Sequence, residues 1–322
     1  MAFYKTNEMG RVTGTIMMSK GDMLPTGQHA SAIDLALDAG AGFTPAKHAI
    51  HHPDGFMPLH KGKPAAYSVW NESVTPPALL NPAVSGGFSA TPYMQTIQMI
   101  ESVFPDSTTG FAMIEHGKAI MWTIELSGEI DLGGGDVIKP NIMVVDSLDG
   151  SRATQLHSLA YRAFCENQLT YGTKALSVKH SLNHSLMLST WSAKIASARE
   201  GWAAFGDRAR YLKGIDLSTR QTARYWLLQV LPEPVRTSKD TDRGFASRMT
   251  RWENMVDAIW SRYLYESEEF GHNAWCMVQS IQGYEYHDKT KDNVAKQVNV
   301  IADPEKNQWR TLRAERMFVT PV

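Results

Sequence analysis

The sequence predicts an α+β protein: an antiparallel sheet with a covering helix, followed by a helical C-terminal half. Three observations carry that expectation. Between Phe111 and His180 apolar residues come in short β-branched or alternating runs separated by Gly- and Asp-containing turns. Just before them, Tyr93, Ile97, Ile100 and Phe104 are spaced by three and four. Beyond His180 that helical spacing takes over. The chain therefore divides into an irregular N-terminal segment with one helix (1–80), an α+β core (81–181) and a helical region packed on the core (182–322). No Pro/Gly linker marks the change near residue 181, so the last two parts are expected to pack as one unit.

The elements follow in order. Gly27 to Asp38 can form a helix with Thr26 as N-cap, Ile33 and Leu37 on one face and Gly40 just past its end. A loop-rich stretch follows, carrying His48, His51, His52 and His60, which read as surface loop histidines because no Cys or carboxylate completes a metal spacing. Thr91-Pro92 opens the helix of Tyr93 to Phe104, and Pro105 stops it. Phe111–His116 and Lys118–Leu126 then read as a hairpin. Asp131 to Asp136, with three glycines between, is a turn without the spacing of a phosphate loop. The run Ile142 to Val145, the turn Asp149-Gly150, the alternation Leu159 to Cys165 and the short run Leu176 to His180 give three more strands.

In the C-terminal half, Trp191, Ile195, Ala198, Trp202, Phe205, Ala209 and Leu212 mark one face of a long helix ended by Gly214. Ser218 is the expected cap of a second helix, ended by Pro232 and Pro234. A third runs from about Thr241 to Glu268, with Phe245, Met249, Trp252, Val256, Ile259 and Tyr263 inward. A shorter helix around Ala274 to His287 and a polar one from Asp303 complete the chain.

At 322 residues and 43% hydrophobic, the chain can bury a sizeable core. It shows neither an apolar leader nor a run long enough to span a membrane, so a soluble, cytoplasmic protein without membrane association is expected. Its two cysteines, Cys165 and Cys276, form no CxxC pair, which fits a reducing compartment. The net charge of −1 hides an asymmetry. Residues 1–150 carry 8 Lys or Arg against 15 Asp or Glu; residues 151–322 carry 24 against 18. A basic half of this kind can face a polyanion, or can dock on an acidic surface.

Candidate chemistry is sparse. Cys165 with His157 or His180 could supply thiolate and base, but the thiol ends an apolar alternation, where cysteine behaves as a small hydrophobe. His180 and His184 resemble half of a metal site, yet the HSLNH stretch lacks the glutamate of HExxH. Asp106, Glu115 and Lys118 are off by one from a restriction-type nuclease pattern, and on a strand that slip puts the lysine on the wrong face. Asp146 and Asp149 flank a turn that already explains them. No metal, cofactor or convincing catalytic group is expected. Arg152, Arg162, Asn167, Lys174 and Lys179, on or beside the central strands, could instead meet a phosphate backbone, with Tyr161, Phe164 and Tyr171 as stacking platforms. Arg208, Arg243, Arg248 and Arg251 would extend that surface onto the helices. The competing reading makes Tyr161 and Phe164 core residues of a strand covered on both sides.

The order Asp149-Gly150, Arg162-x-x-Cys165-x-Asn167-x-Leu169 and His180 before a long helix resembles the phage- and plasmid-encoded domain-of-unknown-function 932 family. Asn81 to Phe104 resembles its helix before the hairpin, and Ala274-Trp275, Gln279 and Tyr284-x-x-His287 resemble its C-terminal motif. The resemblance implies a mobile-element protein of a bacterial cytoplasm, with no established reaction. Its helix and strand meander also look like the core of phage single-strand annealing proteins. The expected function is therefore non-enzymatic binding of single-stranded nucleic acid by a homo-oligomer, in recombination or replication. The alternative is a phage accessory protein that binds a host or phage protein and no nucleic acid.

Overall fold

A computed structural model describes residues 31–51, 53–162, 167–170, 176–181, 183–184, 191–291, 296, 300 and 303–319. The first part of the chain forms α1 (Ala32–Asp38), β1 (Ala46–Ala49), β2 (Leu59–His60), β3 (Lys63–Pro64), β4 (Tyr67–Asn71), β5 (Ala78–Val84) and α2 (Tyr93–Glu101). The central strands are β6 (Thr108–Ile114), β7 (Ala119–Glu125), β8 (Ile130–Asp131), β9 (Val137–Ser147), β10 (Thr154–Arg162), β11 (Asn167–Thr170) and β12 (Leu176–Val178). The helical part comprises α3 (Trp191–Gly214), α4 (Arg220–Val230), α5 (Asp242–Phe270), α6 (Ala274–Gly283) and α7 (Trp309–Val319). The α+β class and the concentration of helices in the C-terminal half are as the sequence predicts.

Strands β11, β10, β9, β7 and β6 form an antiparallel sheet in that order, with β12 also on β10 and β8 on β9. The register is unbroken through its centre: Trp122 pairs with Val144 and Val144 with Leu156, while Ile138 pairs with Arg162. Ile138, Pro140, Ile142, Val144 and Asp146 therefore point to one side. Two hydrophobic cores share that side. Over Trp122, Ile142, Val144 and Leu156 lie α1, α2 and residues of the small sheet. Ile138 and Ala160 pack with α3, α4, α5, α6 and α7. On the opposite side Met121, Met143, Val145, Leu159 and Tyr161 are buried as well. Burial on both faces is why β9 reads as a continuous apolar run, and each fully buried aliphatic there contributes about 1.5–3 kcal/mol.

Helix α2 seats on the sheet through Tyr93, Ile97 and Ile100, all buried. The Tyr93 hydroxyl donates to the Gly117 and Lys118 carbonyls at 2.9 and 3.0 Å and accepts from the Leu148 N–H at 3.1 Å, locking the β6–β7 turn to the end of β9.

Several expectations need correction. The expected cap Thr26 and the first turn from Gly27 lie outside the described residues. Within them α1 starts at Ala32, capped by Ser31 and braced by Glu101, which accepts from the Ala32 N–H at 2.8 Å. Leu37 is 55% exposed; small residues, Ala32 and Ala36 with Leu35, make the packed face. The first 80 residues are not merely irregular, since β1, β4 and β5 form a three-stranded sheet and the boundary at residue 80 falls inside β5. A short alternation, Tyr67 to Asn71, carries that sheet. Thr219 rather than Ser218 caps α4, accepting from the Thr222 N–H.

Candidate functional site

The residues expected to face nucleic acid scatter. Arg162 is corrected outright: it is 1% exposed, with its guanidinium clamped by two carboxylates. Its Nε and Nη2 donate to Asp136 Oδ1 and Oδ2 at 2.6 and 3.0 Å, and its Nη1 donates to Glu266 Oε2. Asp136 precedes β9 and Glu266 lies on α5, so one side chain ties the sheet to the helices. Burial pushes the Glu266 carboxyl above its usual range although Arg162 opposes the shift. Phe270 lies against the guanidinium, 4.6 Å from its ring centroid.

Arg152 is half-buried in the β9–β10 connection, and Lys179 is exposed just after β12. Asn167 pairs its backbone with Arg162 in β11. Lys174, Phe164, Tyr171 and Cys165 lie outside the described residues. Arg208 pairs with Glu315 at 3.2 Å and Arg248 with Asp240 at 2.6 Å. Hydrogen bonds from Arg248 and the Thr237 N–H hold Asp240 down to a pKa of about 2. Arg243 and Arg251 are exposed on the first turns of α5. Tyr161 is buried, as the core reading requires. Cys276 is buried on α6, and burial pushes its thiol up to about 12, far from a reactive thiolate.

The Asp146 end of the sheet gathers what sequence reading had kept apart. Asp146 closes β9, Thr154 opens β10, and His180 follows β12, whose Val178 pairs with Thr154. The segment before α2 lies alongside, with the Ser89 N–H donating to the His180 carbonyl at 3.2 Å and Phe88 bridging to Ser181. Asp146, Thr154, His180 and His184 are all buried. Asp146 Oδ1 lies 2.9 Å from His180 Nε2 and accepts from the Thr154 hydroxyl at 2.9 Å. Its Oδ2 accepts from the Thr96 hydroxyl of α2 at 3.0 Å. His184 places Nε2 at 2.7 Å from Thr154 Oγ1 and Nδ1 at 3.0 Å from Thr91 Oγ1. The two imidazoles stack with centroids 4.4 Å apart, and Phe88 covers the outer face of His180 at 5.4 Å.

Electrostatics divide the roles. Burial raises Asp146, but its hydrogen bonds to His180 and Thr154 and the nearby imidazoles outweigh it and hold the carboxyl below its usual range. Burial and the neighbouring His180 push His184 down to about 4, so His184 is neutral at pH 7. The carboxylate and two imidazoles bring one ligand atom each within 4.8 Å of one another. They are the group best suited to a metal among the described residues. The HSLNH spacing flagged the histidines; only the strand register brings Asp146 to them.

The fold and this site define an α+β protein whose antiparallel sheet carries a polar His–Asp cluster at one end and is closed by C-terminal helices. The chain belongs to the family described as Domain of unknown function (DUF932), whose model matches residues 84–314. That span runs from the end of β5 into α7 and includes the His–Asp cluster and the Arg162 clamp. Comparisons with curated proteins and with solved structures gave no match.

Proposed function

We propose that this chain is a single-stranded nucleic-acid-binding protein of a phage or plasmid, working as a homo-oligomer in recombination or replication in a bacterial cytoplasm. The observation that supports the reading is the outer surface of the helices. Arg220 on α4, Arg243 and Arg251 on α5, and Arg313 and Arg316 on α7 are exposed, and none of them takes part in an ion pair among the described residues. Helices α4 and α7 lie side by side, with Arg313 Nη2 donating to the Gln229 carbonyl at 3.1 Å and Trp226 against Phe318. The same two helices expose Tyr225 and Trp309, rings on which unpaired bases can stack. This reading puts the binding face on the helical half rather than on the central strands, where Arg162 is sealed; on the strand side Lys179 is exposed.

A second reading, docking of the helical half on a host or phage protein, is favoured by a different observation. Arg208–Glu315, Arg236–Asp242, Arg248–Asp240 and Arg262–Asp288 pair within the chain and reduce the charge left for a polyanion. Fluorescence anisotropy of a labelled oligothymidylate separates the two. Saturable binding at low salt that weakens as salt rises supports the first reading. No binding at low salt removes it and leaves the second.

A further inference from the structure

We propose that Asp146, His180 and His184 bind a divalent first-row transition-metal ion. The geometry of each side chain carries the argument. Every ligand has one polar atom held from outside and the other turned inward. His180 Nδ1 lies 3.3 Å from the Ser89 carbonyl, and His184 Nδ1 lies 3.0 Å from Thr91 Oγ1. Asp146 Oδ2 is held by Thr96 at 3.0 Å. The remaining atoms, His180 Nε2, His184 Nε2 and Asp146 Oδ1, lie within 4.8 Å of one another around the Thr154 hydroxyl oxygen. That oxygen is 3.5, 2.7 and 2.9 Å from them, and an entering ion would displace it or take it as a further ligand. Outer partners that fix imidazole orientation and leave the inner nitrogen to the ion are the normal setting of metal-bound histidine.

The hydrogen-bond inventory points the same way. A carbonyl and a carboxylate only accept, so His180 stands between two acceptors, Ser89 O and Asp146 Oδ1. A cation on the inner side satisfies Nε2 and the carboxylate together. Metal bonds of 2.0–2.2 Å in a tetrahedral site put donor atoms about 3.3 Å apart. Asp146 Oδ1 and His180 Nε2, now 2.9 Å apart, need to open by only a few tenths of an ångström. Two imidazoles and one carboxylate suit zinc, iron, manganese, cobalt or nickel, whereas magnesium and calcium favour all-oxygen shells. The ion would tie the 88–91 and 180–184 segments to the ends of β9 and β10. It is independent of nucleic-acid binding by the helical surface.

The test uses the full chain, stripped with EDTA and titrated calorimetrically with zinc chloride, with cobalt(II) absorption as a second readout. One ion per chain is expected, together with the visible bands of a low-coordinate cobalt centre and no comparable response to magnesium. Asp146→Asn and His184→Ala should abolish the isotherm. Because either variant can unfold, Thr96→Val serves as the milder probe and should weaken zinc about 10- to 100-fold with the fold intact. A variant lacking the exposed His48, His51 and His60 imidazoles should bind as the parent does. The proposal is overturned if the folded parent takes up neither ion, or if binding survives Asp146→Asn, His184→Ala and Thr96→Val unchanged. In that case the hydrogen bonds of Asp146, Thr154, His180 and His184 only hold the 88–91 and 180–184 segments to the sheet, and the cluster is structural.

Discussion

Replacing Arg162 by Met tests whether this guanidinium binds the protein's own carboxylates or a ligand's phosphates. The side chain is 1% exposed and donates two hydrogen bonds to Asp136 and one to Glu266, which are themselves 0% and 2% exposed. Methionine fills much of the same volume but strands both carboxylates without their cation. Removing one partner from a buried ion pair costs about 3–5 kcal/mol. Lys213 Nζ, 3.8 Å from Asp136 Oδ2, offers partial relief, which places the expected loss toward the lower end of that range. With a urea m-value of about 3 kcal/mol/M, the midpoint should fall by roughly 1 M or somewhat more. Adding Asp136→Asn and Glu266→Gln to the same variant should recover much of the loss, because a neutral replacement of a whole buried ion cluster is often tolerated. Circular dichroism against urea measures both effects. A wild-type midpoint for Arg162→Met, coupled with weakened oligonucleotide binding, would refute the clamp and return Arg162 to the surface.

Other expectations follow from the same structure. His157 is buried, and burial, helped by Arg152, lowers its pKa to about 4 from 6.5. The unfolded chain therefore takes up this proton first. Stability should fall as pH drops from about 6.5 through 4, by up to about 3 kcal/mol for this group. His157→Gln should lessen the slope of that part of the urea-midpoint profile without abolishing it, because His184, also pushed down to about 4, acts in the same window, and an unchanged profile would count against the burial. Cys276, in a Cys165→Ser background, should resist Ellman's reagent at pH 8 until denaturant is added; stoichiometric labelling of the native protein within minutes would contradict a thiol pushed to about 12. Gly117 has φ of +101°, and a Cβ there would sit 2.6 Å from the Phe43 ring. Gly117→Ala should accordingly lower the melting temperature, with a cost of about 1–3 kcal/mol from overpacking and backbone strain.

Much of the architecture was legible because its signals are local. The three-and-four spacing of Tyr93, Ile97 and Ile100, the Asp149-Gly150 turn, and the stripe from Phe205 through Leu212 each act within one element. The small N-terminal sheet was missed because β1 has only four residues and β4 pairs with β5 through register shifts that blur the alternation. Arg162 was misread for a related reason. On a strand, an arginine among apolar neighbours looks like a surface cation unless its partners are known, and Glu266 lies 104 residues away. The His–Asp cluster failed the same way. His180 and His184 were visible, but Asp146 was assigned to its turn, and only the pairing of β9 with β10 and β10 with β12 unites them.

The most direct test of the account is a salt titration of oligothymidylate binding, comparing the parent chain with a variant in which Arg243, Arg251, Arg313 and Arg316 become Glu. If those four guanidiniums each displace a counterion, log K for the parent should fall linearly against log salt with a slope of about −3. The charge-reversed variant, folded as the parent is, should lose detectable binding, while Arg162→Met/Asp136→Asn/Glu266→Gln should keep the parental slope. Equal binding by the parent and the charge-reversed variant, or binding that salt does not weaken, would contradict the assignment of the helical surface to nucleic acid.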